Sequence, residues 1–180
     1  MKKTKKLTLG SAIIALGVAF MSLGAVLPVL DMSVAVLASL LMCFVYLELG
    51  SPYTWLVWLA TALLSFVMFP GSLMWLTYLL VYGIYPILKG YIERLPRAFW
   101  LLLKLVYVNA MMTVMLLFSE VLTGVSFFGD VSALPADPRI IYVAMWVILN
   151  VAFILYDKLV VVMVVWYQHR LRPRIANLLK

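Results

Sequence analysis

The sequence predicts an all-α fold, a polytopic transmembrane helical bundle of about six spans. Three observations predict it. Of the 180 residues, 67% are apolar and 12% are charged, whereas soluble domains carry about 45–50% and about 25%. The apolar residues fall into runs near the 17–25 residues that cross a hydrocarbon core. The basic residues gather in short clusters between those runs. Strand-like alternation is absent, so helices are the way for the backbone to satisfy itself in lipid.

The first run, residues 7–30, follows Lys2, Lys3, Lys5 and Lys6. It exceeds the 7–15 apolar residues of a signal-peptide core and reads as a retained span. The second, 32–49, is separated from it by Asp31. The third, 54–69, follows Gly50-Ser51-Pro52, and the fourth, 73–88, follows Pro70-Gly71. These two are short for a bilayer, about 24 Å of helix each against about 30 Å. They form either two tilted spans, the preferred reading, or one re-entrant hairpin. The fifth run covers 98–128 and the sixth 140–167, with Asp130, Pro135, Asp137 and Pro138 marking a loop between them. The whole chain, 1–180, reads as one transmembrane domain.

Charge orients the bundle. With the N-terminus inside, the inner segments carry Lys2, Lys3, Lys5, Lys6, Lys89, Arg94, Arg97, Arg170, Arg172, Arg174 and Lys180, and the outer segments carry Arg139 alone. Retention of basic loops on the cytoplasmic side then places both termini in the cytoplasm of a cell-membrane protein. The net charge of +7 is spent on this retention rather than on a nucleic-acid surface, which needs a basic stripe with interleaved aromatics. Residues 87–97 read as a basic surface loop or a short interfacial helix, with Glu93 and Arg97 at i,i+4 spacing.

Ionisable groups inside a bilayer are expensive, about 2.5–3.5 kcal/mol at a span centre. Lys104 is close enough to Arg97 to snorkel to the headgroups. Asp157 and Lys158 lie near the midplane of an upright sixth span. Asp157 shares a helical face with Asn150, Trp146 and Tyr142, and the fifth span carries Asn109, Thr113 and Glu120 in a parallel stripe. Facing stripes of this kind line a pocket for a small polar substrate or hydrogen-bond the helices to each other, with Asp157 neutralised by Lys104 or Lys158. Trp55, Trp58, Trp75, Tyr78, Tyr82 and Tyr85 read mainly as interfacial belt residues.

No catalytic, cofactor or metal constellation is present. The single cysteine, Cys43, builds no disulfide or thiolate site within one chain, and His169 sits among arginines at headgroup level. There is no HExxH, nucleotide loop or nucleophile with a histidine partner, so the chain is predicted not to be an enzyme.

Ser11, Ala15 and Ala19 place small side chains on one face of the first span, where a partner helix can approach closely. The start Lys5-Lys6-Leu7-Thr8-Leu9, followed by Ala15-x-x-x-Ala19, resembles the substrate-binding S components of energy-coupling factor transporters. That resemblance implies six spans and uptake of a small, vitamin-like nutrient. It also implies that Ala15 and Ala19, extended by Ser11, dock a transmembrane coupling subunit powered by separate ATPase subunits. Beyond the first span the likeness is in length and span count. The stretch Tyr85-Pro86-Ile87-Leu88-Lys89-Gly90-Tyr91-Ile92-Glu93-Arg94-Leu95 is similar to that of small bacterial membrane proteins of the same layout. An envelope scaffold or assembly protein with no small ligand is the alternative.

Overall fold

A computed structural model describes residues 3–123 and 137–174, and they are all-helical. Five helices are long and apolar enough to cross a membrane. These are α1 (Lys3–Val26), α2 (Asp31–Glu48), α3 (Ser51–Met68), α6 (Trp100–Thr123) and α7 (Pro138–Trp166). Between α3 and α6 lie two short helices, α4 (Met74–Thr77) and α5 (Tyr85–Ile92), joined by a π-helical turn at Tyr78–Tyr82. The chain is therefore a multi-pass helical bundle whose exposed faces carry Leu56, Val67, Leu117, Val121 and Ile148, as expected where lipid is the solvent.

Helix ends follow local chemistry. Gly50 has φ +85°, a left-handed conformation that side-chain-bearing residues adopt at a cost of about 1–2 kcal/mol. It turns α2 into α3, and Pro52 opens α3, where its missing N–H is not needed. Asp137 caps α7 by accepting from the Arg139 N–H at 2.9 Å, and Pro138 takes the first position. From there α7 and a π turn at Tyr167–Leu171 run on without a break.

Contacts fix which ends meet. The Lys6 ammonium lies 5.3 Å from the Tyr53 ring centroid. Ser51 and Tyr91 share a hydrogen bond of 3.1 Å, and Tyr167 donates to Glu48 at 3.1 Å. The start of α1, the α2–α3 turn and the ends of α5 and α7 therefore occupy one end of the bundle. The Gly24 turn of α1 packs on Met74 at the other.

The fourth run differs most from expectation. It is a broken helix, and it forms the centre of the bundle. Tyr78, Tyr85, Ile87, Met74 and Val81 are all buried. At the π turn the Gly83 N–H reaches back to the Tyr78 carbonyl at 2.7 Å, five residues instead of four. Pro86 has no N–H to give the Tyr82 carbonyl one turn earlier. Side chains from three other helices meet the loosened carbonyls. Trp58 of α3 donates to Leu79 at 3.2 Å, Tyr107 of α6 to Leu80 and Val81, and Tyr156 of α7 to Tyr82 at 3.2 Å. Irregular backbone survives in a membrane where the surrounding protein satisfies it.

This arrangement corrects the belt reading of the tyrosines. Tyr78, Tyr82 and Tyr85 pack in the core, with Tyr85 and Tyr82 against Tyr156 and Tyr85 against Phe153. Gly83 is needed here because a Cβ would lie 2.8 Å from the rings of Trp58 and Tyr78.

Candidate functional site

Tyr85, Lys89 and Glu93 follow one another at four-residue spacing, so Tyr85 and Lys89 share a face of α5 that Glu93, at its C-cap, continues. That face turns toward α6 and α7 and meets Lys104 and Asp157. Lys89 bridges Glu93 at 2.8 Å and also bonds Asp157. Lys104 reaches Glu93 at 3.0 Å and both Asp157 oxygens at 3.0 Å. The Tyr85 hydroxyl donates to Asp157 as well. The lysine side chains are only 7% and 9% exposed, against 21% for Asp157 and 32% for Glu93.

Two ammoniums and two carboxylates make the cluster electroneutral. Desolvating each ion costs several kcal/mol. Each charge here is offset by opposite charges and hydrogen bonds, and the more exposed Glu93 carries part of the burden at the cluster's edge. Lys104 does not snorkel outward but turns into the protein. Glu93 takes its salt bridges from Lys89 and Lys104 rather than along the loop from Arg97. Lys89 and Lys104 flank the connection that holds Arg94 and Arg97, which sets Asp157 toward the basic end of the bundle rather than level with its middle. Lys158 is exposed on α7, turned away from this cluster.

One helical step further along, Asn109 of α6 and Asn150 and Trp146 of α7 form a second polar cluster. Asn109 Nδ2 donates to Asn150 Oδ1 at 2.9 Å. The Asn109 Oδ1 accepts from Trp146 Nε1 at 2.5 Å and from Asn150 Nδ2 at 3.2 Å. The remaining amide hydrogens go to the backbone carbonyls of Leu105 and Trp146. Phe153 and Tyr107, which pack with Tyr85, lie between the two clusters in sequence on their helices.

The predicted stripes therefore divide. Asp157 joins the ion cluster, while Asn109, Asn150 and Trp146 tie α6 to α7. Thr113 is exposed and bonds the Asn109 carbonyl at 2.9 Å, and Tyr142 is 43% exposed. The Glu120 side chain lies outside the described residues. On α1, Ser11, Ala15 and Ala19 are exposed on the outer face. Gly10, Ile13 and Gly17 of the same helix face inward, with Gly10 close to Val57 and Gly17 close to Thr61 of α3.

A half-open groove of about 190 Å³ lies beside the ion cluster, between α2, α5 and α7. Val160, Val161, Val164 and Val165 form its α7 wall, and Cys43, Tyr46 and Leu47 its α2 wall. Pro86, Lys89, Gly90 and Glu93 complete it from α5. None of the described stripe residues lines it. Sequence reasoning missed the roles of Lys89 and Glu93 because they sit where the chain reads as a surface loop, and that of Tyr85 because it reads as a belt residue near the end of the fourth run. The available signal was their four-residue spacing behind Pro86, two charges and a phenol on one face of a restarted helix. Compared with protein-family models, curated proteins and solved structures, the chain matches none.

Proposed function

We propose that the chain is a non-catalytic, substrate-binding subunit of the cytoplasmic membrane that takes part in uptake of a small, vitamin-like nutrient. In this reading both termini are cytoplasmic, α1 docks a transmembrane coupling subunit, and separate ATPase subunits supply the energy. The observation that carries the reading is the outer face of α1. Its inner glycines are already used against α3, yet a second row of small side chains, Ser11, Ala15 and Ala19, stands exposed on the opposite side. Small residues let two helix backbones approach closely, and van der Waals packing of that kind drives helix association in lipid.

The test is affinity purification from membranes at equal expression. Wild type should recover a transmembrane partner and ATPase subunits, and the Ala15→Leu/Ala19→Leu variant should lose them while still inserting. Equal recovery by the double variant removes the docking assignment. A scaffold without a ligand is the second reading, favoured by Asn109, Asn150 and Trp146 spending their polar atoms on one another and on nearby backbone. Recovery of envelope-synthesis proteins in place of ATPase subunits would select it.

A further inference from the structure

We propose that the groove between α2, α5 and α7 binds a ring-sized amphiphile whose polar head is uncharged and both donates and accepts hydrogen bonds. Size sets the body of the ligand. An apolar cavity of about 150 Å³ stays dry and accepts benzene, and this groove offers about 190 Å³. Its α7 wall is built from four valines, stiff side chains that hold a flat apolar surface.

Charge sets the head. Among the described residues, the charged side chains in the lining are Lys89 and Glu93, and they belong to a cluster of two ammoniums and two carboxylates that is already neutral. An ionised ligand would leave that cluster with a net charge in a desolvated setting, the situation that is strongly unfavourable when a buried pair is broken. A head such as an amide adds no charge, accepts from the Lys89 ammonium and donates to the Glu93 carboxylate. The selectivity is thus for neutral over either sign of charge.

This inference rests on the uptake reading for its purpose, but its test uses the isolated chain and needs no partner. Binding of labelled benzamide to the purified protein in detergent is measured by equilibrium dialysis, with benzoate, benzylammonium and propylbenzene as competitors. Two variants narrow the groove from its α7 wall, Val164→Trp from a half-buried position and Val161→Phe from its exposed rim. Saturable benzamide binding should weaken by about tenfold or more in both variants, and the two charged competitors should bind at least about fivefold more weakly than benzamide. Uptake into micelles that is equal for wild type and both variants overturns the site. Competition by benzoate or benzylammonium as strong as by benzamide overturns the charge argument, and competition by propylbenzene as strong as by benzamide reduces the groove to an acyl-chain slot. Failure here leaves partner recovery through α1 untouched, and failure of partner recovery leaves benzamide binding untouched.

Discussion

Replacing Asp157 with Asn probes whether the ion cluster holds the bundle together. The carboxylate accepts from Tyr85, Lys89 and Lys104, whereas an amide keeps one acceptor for Tyr85 and turns an N–H toward an ammonium. The cluster then passes from neutral to a net charge of about +1, with two lysines that are 7% and 9% exposed. Those ammoniums bear the loss, since Asp157 itself retains 21% exposure. Stranding a buried charge in this way costs about 3–5 kcal/mol. The assay is reversible unfolding by SDS titration of the purified protein, followed by helical circular dichroism. Adding Lys104→Gln to Asp157→Asn removes one ammonium and restores neutrality. The double variant should therefore recover most of the stability, with a coupling energy of about 2 kcal/mol or more. A single-variant loss below about 1 kcal/mol, or strictly additive losses in the double variant, would refute the reasoning.

Two further outcomes are expected. Tyr156→Phe leaves the Tyr82 carbonyl and the Ser39 hydroxyl without their shared phenol, so the same titration should show a loss of about 1–3 kcal/mol, and an unchanged midpoint would mean the π turn does not need its cap. In a Cys43→Ala background, single cysteines at Lys3, Asp137 and Lys180 should give labelling by an impermeant thiol reagent on intact cells at Asp137 alone, because basic residues concentrate on the other side; labelling at Lys180 with protection of Asp137 reverses the orientation.

Much of the fold was legible because the signal was collective. The apolar run 7–30 spreads its hydropathy over 24 positions, and Gly50-Ser51-Pro52 announces a turn by backbone chemistry alone. The fourth run was not legible in the same way. Its interruption depends on where the Leu79, Leu80 and Tyr82 carbonyls find donors, and those donors sit on α3, α6 and α7. Likewise the residue type of Asp157 flagged it as needing a partner, yet nothing local says that Lys89 supplies one from 68 residues away. Trp146, Asn150 and Asn109 could be aligned on helical faces by counting. Whether two such faces enclose a ligand or close on each other depends on interhelical spacing, which no single-helix pattern contains.

The capped π turn has a consequence for synthesis. Of the side chains that meet its carbonyls, Trp58 is translated earlier, but Tyr107 follows Leu80 by 27 residues and Tyr156 follows Tyr82 by 74. At about 5–20 residues per second, the ribosome needs roughly 4–15 s to deliver the last of these donors. During that interval the fourth segment holds polar backbone that hydrocarbon cannot solvate, so it must wait beside the insertion machinery or at the aqueous edge until α7 arrives. A nascent chain halted before α7 would stay a client of that machinery, and quality-control proteases would see its unfinished centre first.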